Sequence, residues 1–232
     1  MTVGGILEQT LGLYQRFFWR FVATTAVVMI VLDFLSALVS TLDTGGGSAA
    51  LFALISVVVG LIGTFWVQGA LTLAVDDVRD GRVDTTIGEL YSRTRPYLGT
   101  LIVAGVLAAL GIGVGLILLI VPGLYLLTRW ALIVPTIVLE KASIGESFRR
   151  SSALTAGHRW TVLWIALITL IASGIIGGIV QAILTAILPD FLGAWLGSFL
   201  AHCITTPFLA LAWTLMYFQL REVAAPAPAV AV

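Results

Sequence analysis

Two ionisable residues stand inside long apolar segments, where a membrane would make their charge costly. Asp33 lies in an apolar run near the N-terminus, and Arg129 lies in another run near the middle of the chain. An unpaired charge in hydrocarbon is so unfavourable that such residues find a partner or line a water-filled cavity. Along ideal helices Asp33 lies about 13 Å and Arg129 about 9 Å from the outer ends of their segments, a gap that an arginine side chain can close. We therefore predict an ion pair between Asp33 and Arg129.

Two interpretations of this pair stay open. In the first, the pair only locks two helices together. In the second, it marks a polar pathway that binds an anionic headgroup or carries protons. A water-filled cavity that reaches Asp33 would favour the second interpretation, and a dry, fully paired core would favour the first.

Two further polar residues are candidates for the same intramembrane cluster. His202 and Gln181 lie in the last two apolar runs. A lone intramembrane histidine can relay protons, but an interhelical hydrogen bond is the favoured interpretation for His202, as for Gln181 and Gln68. No Cys, Asp or Glu stands at metal-ligand spacing from His202, so we expect no metal site.

The composition is that of a membrane protein. The 232-residue chain is 59% hydrophobic and 10% charged, whereas soluble domains carry about 25% charged residues. Its net charge of zero predicts no nucleic-acid partner. The sequence contains no Gly-rich phosphate loop, no catalytic triad pattern and no H-E-x-x-H motif. We therefore expect a protein that is not an enzyme and needs no cofactor.

Six apolar segments are long enough to cross the roughly 30 Å hydrocarbon core of a bilayer. The step at Pro122-Gly123 divides one long stretch into two of these crossings. The predicted fold is all-α, a bundle of six transmembrane helices in three hairpins. The expected spans are 21–42, 49–75, 98–120, 123–139, 161–188 and 191–220, in a single domain of residues 1–222 with a disordered Ala/Pro tail at 223–232.

The charge distribution predicts the orientation of these spans. With both ends in the cytoplasm, all of the 12 basic residues except Arg129 fall on the inner side, and the outer turns hold only Asp43 and Asp190. This asymmetry is what the positive-inside rule describes. We expect a multi-pass protein of the bacterial cytoplasmic membrane, with the lipid bilayer as its partner. Pairs such as Gly111/Gly115, Gly174/Gly178 and Gly193/Gly197 permit close helix packing, and packing within the bundle is the favoured interpretation. Packing in a homo-oligomer or against a second membrane protein is the alternative.

An internal repeat precedes the second and third hairpins. Residues 86–94 match residues 143–151, and both begin with a hydroxyl residue followed three positions later by Glu, the pattern of a capping box. A fainter copy begins near Gly5. We therefore predict that a short, amphipathic interfacial helix precedes each hairpin. Its arginines would contact the headgroups of anionic phospholipids; the candidates are Arg93, Arg95, Arg149, Arg150 and Arg159.

A longer stretch carries a family resemblance. Residues 118–126 read LLIVPGLYL, and they lead through Arg129-Trp130 and residues 146–157 to Trp160. This stretch resembles the membrane domain attached to some bacterial glycerophosphoryl diester phosphodiesterases, and related stand-alone bacterial membrane proteins. The resemblance implies a six-helix membrane module of undefined role. The hydrolase barrel of the fused proteins has no counterpart here, and Trp160 follows His158-Arg159 where the barrel's signature has glycine.

These observations favour a scaffold or lipid-interacting module of the bacterial envelope. The alternative is a small transporter or permease, with its polar pathway around Asp33 and Arg129. An intramembrane enzyme ranks last because no catalytic set converges.

Overall fold

The structure, a computed structural model, describes residues 2–41, 47–79 and 81–224, and these parts of the chain are helical apart from short connections. They contain ten α-helices and one 3₁₀ turn, Arg95–Tyr97. The α-helices are α1 (Val3–Arg16), α2 (Phe18–Thr41), α3 (Gly47–Val78), α4 (Ile87–Thr94), α5 (Leu98–Leu118), α6 (Ile120–Trp130), α7 (Ile133–Glu140), α8 (Ile144–Leu154), α9 (Arg159–Ile187) and α10 (Asp190–Ala224).

Six segments of this chain are long and apolar enough to cross a membrane, as predicted. They are Phe18–Ser40, Leu54–Val78, Ile87–Leu118, Ile120–Glu140, Arg159–Ile187 and Asp190–Ala224. Their lipid-facing character is clearest at the α5–α6 turn, where Ile117 is 85% and Val121 76% exposed. Apolar side chains so exposed are stable only against hydrocarbon or another protein.

Two predictions fall wholly or partly outside the described residues. Asp43, assigned to an outer turn, lies in the first gap. Of the predicted tail, residues 225–232 lie outside, whereas Val223 and Ala224 belong to the last turn of α10.

The fourth predicted span differs from its prediction at two places. The chain turns at Leu119, ahead of the Pro122-Gly123 step, and Pro122 lies in the first turn of α6. Proline is tolerated there because the first amides of a helix have no intrahelical acceptor. The span is also divided, since α6 ends at Trp130 and α7 begins at Ile133.

The Ser151 side chain of α8 forms hydrogen bonds with the backbone at the break between α6 and α7. Its buried hydroxyl donates to the carbonyl of Arg129 at 2.8 Å and accepts from the amide of Leu132 at 3.1 Å. A helix break inside an apolar bundle is tolerated only when its backbone groups find such partners. α8 therefore packs against the middle of the fourth span.

The capping boxes predicted for the repeat form in one copy only. Thr86 accepts from the amide of Glu89 at 3.3 Å, and the Glu89 carboxylate accepts from the amide of Thr86 at 2.8 Å. Ser143 starts α8 with a similar extended backbone but makes no side-chain cap, so the prediction is wrong for that copy. At the fainter copy, Thr2 caps α1 by accepting from the amide of Gly5.

α10 is the longest helix of the described residues. It packs on α9, α2, α1 and α3, and it continues through Pro207. Tyr14 of α1 donates to the carbonyl of Ile204 at 2.8 Å, next to the carbonyl that Pro207 leaves without an amide partner. Burial raises the pKa of Tyr14 to about 12, so this hydroxyl remains protonated at neutral pH.

The predicted glycine pairs behave differently from one another. Gly111 packs against the Trp130 ring and Gly115 against the backbone of Gly123, so this pair brings α5 and α6 together. Gly193 and Gly197 pack against α9. Gly174 and Gly178 have open space beside them, and no contact within the described chain accounts for that pair.

Candidate functional site

The polar centre of the bundle is a pair formed by Asp33 of α2 and His202 of α10. The Nδ1 atom of His202 lies 2.9 Å from one carboxylate oxygen of Asp33 and 3.1 Å from the other. Asp33 is only 5% exposed, whereas the His202 side chain is 47% exposed. With Nδ1 donating to the carboxylate, the second ring nitrogen, Nε2, remains available to a ligand or water.

Arg129 does not take part in this pair, so the predicted Asp33–Arg129 ion pair is wrong. Arg129 lies at the end of α6, which packs on α5, α8 and α9. Its Nε donates to the hydroxyl of Ser152 at 2.8 Å. The prediction assumed one continuous fourth helix, and the break after Trp130 leaves Arg129 beside α8 instead.

Gln181 is also separate from the pair. Its side chain packs against Gly197 of α10, where a Cβ atom would collide with the amide group. Gln181 therefore sits at a close α9–α10 contact, whereas the interpretation favoured from the sequence is an interhelical hydrogen bond.

A cavity of about 840 Å³ reaches the Asp33–His202 pair. Residues of α2, α3, α9 and α10 form its walls, and Val134 and Pro135 of α7 also contact it. The polar groups of its lining include Asp33, Thr64, Gln68, Thr72, His202 and Thr206. A water-sized molecule occupies about 30 Å³, so this space is large enough for a sizeable ligand.

The polar lining follows two helical stripes. Thr64, Gln68 and Thr72 recur every four residues on α3, and His202 and Thr206 are spaced in the same way on α10. Side chains four apart share one face of a helix. The interpretation of Gln68 from the sequence is an interhelical hydrogen bond, although this spacing already indicates a continuous polar face.

A large apolar part of the lining lies at the α2–α3 side. Leu32 and Leu35 of α2 and Phe52 and Ile55 of α3 contribute to it. In this part of α3 the side chains that line the cavity are exposed, Phe52 by 45% and Ile55 by 49%, and so are those on other faces, such as Leu54 by 61%. The N-terminal half of α3 is therefore separated from the interior of the bundle by the cavity.

A second charged cluster lies where α2 and α3 approach α4. Arg20 binds Asp77 through a contact of 2.5 Å and also donates to the carbonyl of Thr85 at 2.7 Å. Both side chains are nearly buried, at 13% and 10% exposure. Asp77 is therefore held in an ion pair that is largely shielded from solvent.

Of the predicted headgroup contacts, Arg150 forms an ion pair within the described part of the protein. Arg150 binds the carboxylate of Glu140 at 2.8 Å, and Tyr217 donates to the same carboxylate at 2.8 Å. This hydrogen bond from Arg150 to Glu140 raises the pKa of Arg150. The other predicted arginines are exposed: Arg93, Arg95, Arg149 and Arg159.

In the described residues, no three His, Cys, Asp or Glu side chains converge to form a set of metal ligands. The cavity can bind a ligand, because a buried carboxylate, an imidazole nitrogen, an amide and several hydroxyls lie beside its apolar wall.

Taken together, the six apolar spans and the helical bundle define an integral membrane protein. The family model for the membrane domain of glycerophosphoryl diester phosphodiesterase matches residues 101–221, which is more than half of the chain. The chain therefore belongs to this family. No curated protein and no solved structure matches it.

Proposed function

We propose that this protein is a non-enzymatic module of the bacterial cytoplasmic membrane that holds an amphiphilic molecule, a membrane lipid, in the cavity beside Asp33 and His202. The observation that carries the proposal is the cavity itself, which combines a polar end with an apolar wall. Binding pockets have this composition, with a few polar groups that fix orientation in a largely apolar surface.

A lipid fits the two ends of the cavity. Its acyl chain would lie along the apolar residues of α2 and α3, such as Leu35 and Phe52. Its polar group would meet the stripe of Thr64, Gln68 and Thr72 together with His202. Hydroxyl, ester and phosphate groups of a lipid can accept from the Gln68 amide and the threonine hydroxyls.

The proposed topology places both ends of the chain in the cytoplasm. The asymmetry of the basic residues supports this orientation. α1, α4 and α8 each come directly before a pair of longer segments, and we include in the proposal that these short helices lie at the inner interface.

The test fills the cavity with a side chain. Gly60 of α3 lines the cavity, and a Cβ atom added there would meet nothing within 4 Å, so Gly60→Phe should occupy the space without a clash. Native mass spectrometry from mild detergent should show lipid retained by the wild type and lost from Gly60→Phe.

The matched control is Gly174→Phe. Gly174 is exposed on α9 and also has open space beside it, so the same substitution adds bulk on the outside of the bundle. This control should retain lipid like the wild type. Equal lipid retention by both variants would contradict the proposal.

The second candidate function is a small transporter. A cavity that reaches two titratable groups, Asp33 and His202, is the feature that favours it. Asp33→Asn keeps the size of the side chain and removes its charge. In proteoliposomes, a transporter would lose pH-driven flux of its substrate or of protons on this change, whereas a lipid-holding module would show no flux before or after it.

A further inference from the structure

Among the residues that the structure describes, no carboxylate pairs with Arg129 of α6 or with Arg159 of α9. Arg129 binds the hydroxyl of Ser152, and the guanidinium of Arg159 lies 4.8 Å from the centre of the Tyr125 ring. No ion pair involves either arginine in the described ranges of the chain. Both side chains are exposed.

The two guanidinium groups lie over one face of α6. Tyr125 and Arg129 are four residues apart, and residues with this spacing are neighbours on a helix surface. Arg159 is fixed by its contact with Tyr125, and Arg129 by its bond to Ser152 of α8. Because each arginine is already held by a neutral partner, less side-chain freedom is lost when an anion binds both.

The location of Arg129 favours an anionic partner. Arg129 belongs to the apolar segment Ile120–Glu140, where an uncompensated cation is unfavourable. Arg159 begins the long helix α9, whose N-cap residue His158 makes no side-chain hydrogen bond to it. The free amides at this helix end add further positive potential.

Aromatic residues place the same helix end at the level of lipid headgroups. Trp160 is 75% exposed and Trp164 53%, and their spacing of four puts them on one face of α9. Exposed tryptophans are typical of the boundary between hydrocarbon and water. A lipid phosphate at this level lies within reach of arginine side chains.

We propose that Arg129 and Arg159 form a binding site for the phosphate group of an anionic phospholipid, with Tyr125 and Ser152 as positioning residues. Each guanidinium donates to phosphate oxygens, which are the acceptors that match its planar geometry best. The site lies on the exposed surface of α6, and it is independent of the lipid proposed for the cavity.

The test compares the wild type with the double variant R129Q/R159Q. Each protein is reconstituted in phosphatidylcholine vesicles with and without phosphatidylglycerol, and bound phosphatidylglycerol is counted by native mass spectrometry after extraction. Loss of one charged hydrogen-bonding partner weakens binding by about tenfold. We therefore expect the double variant to lose most of its phosphatidylglycerol and each single variant to lose part of it.

The matched control is R16Q/R221Q, which removes the same charge from two exposed arginines outside the predicted headgroup contacts. It should keep phosphatidylglycerol at the wild-type level. An equal loss in both double variants would assign the binding to general charge and overturn the site, as would full retention by R129Q/R159Q.

Inorganic phosphate separates a lipid from a free anion. Titration of the wild type with phosphate, in vesicles of phosphatidylcholine alone, should leave the thermal midpoint unchanged, whereas phosphatidylglycerol should raise it. Equal stabilisation by phosphate that is abolished in R129Q/R159Q would overturn the lipid as the occupant.

Discussion

Asp33 and His202 form a hydrogen-bonded pair although 169 residues separate them along the chain. The pair joins α2 to α10, and Asp33 is the more buried partner. Removing His202 would therefore leave the buried Asp33 carboxylate without its hydrogen-bond donor. This costs more free energy than leaving the more exposed imidazole without its acceptor.

The Asp33–His202 pair should show energetic coupling in a double-mutant cycle. We expect His202→Leu to destabilise the protein more than Asp33→Asn, and the double variant to be more stable than the sum of the single effects by about 1–2 kcal/mol. Unfolding in mixed detergent micelles measures these differences. Arg129→Gln serves as the control, because it should show no coupling to Asp33→Asn; coupling there and none to His202 would reinstate the ion pair inferred from the sequence.

The break in the fourth span should depend on the hydroxyl of Ser151. Ser151→Ala removes the partner of two backbone groups, the carbonyl of Arg129 and the amide of Leu132. Buried polar groups left without partners cost about 1–3 kcal/mol each, so a clear drop in the thermal midpoint is expected. Ser92→Ala, at an exposed position of α4, is the control and should change little. A midpoint unchanged by Ser151→Ala would mean that the cap does not support the break.

A close contact between α3 and α4 predicts a rescue experiment. A Cβ atom added at Gly69 would collide with the Cγ2 methyl of Thr94. Overpacking of this kind costs about 1–3 kcal/mol, so Gly69→Ala should be less stable than the wild type. Thr94→Ser removes the methyl and keeps the hydroxyl that donates to Leu90.

Stability should therefore return in the double variant Gly69→Ala/Thr94→Ser. Gly99→Ala is the control, since it has open space beside it, and it should be tolerated. A double variant no more stable than Gly69→Ala alone would count against this α3–α4 contact.

The proposed topology predicts which cysteines can be labelled from outside the cell. In a Cys203→Ala background, cysteines at Gly88 and Gly145 occupy exposed, uncrowded positions of α4 and α8. A membrane-impermeant maleimide should reach them only after the cells are opened. Asp190→Cys, at the other end of the bundle, should react in intact cells. Labelling of Gly88→Cys or Gly145→Cys in intact cells would reverse the orientation.

The number of spans could be predicted from the sequence because it depends only on local apolar length. Asp33 and His202 could both be identified as unusual, since each is a polar residue within an apolar run. Their pairing could not, because it depends on which helices become neighbours. Helix adjacency is set by packing between distant segments. The prediction of Arg129 as the partner of Asp33 rests on their depth in the membrane alone.

The division of the fourth span was harder to predict for another reason. Residues 130–133 read WALI, and they contain neither glycine nor proline. Pro135 cannot donate an amide to the carbonyl of Ala131, four residues earlier, and is the local signal for the break. The hydrogen bonds that Ser151 supplies from another helix support the break, and no local pattern indicates them. Pro122, which does look like a break, instead fits the first turn of α6.

The packing of α10, the last helix in the chain, on α1, α2 and α3 has a consequence for biogenesis. A ribosome delivers the helices in chain order, so α2 enters the bilayer long before α10 is made. Until α10 arrives, the Asp33 carboxylate has no His202, and α2 and α3 lack their contacts with α10. The nascent bundle therefore stays open along one flank during synthesis, and the arrival of the α10 imidazole completes its assembly.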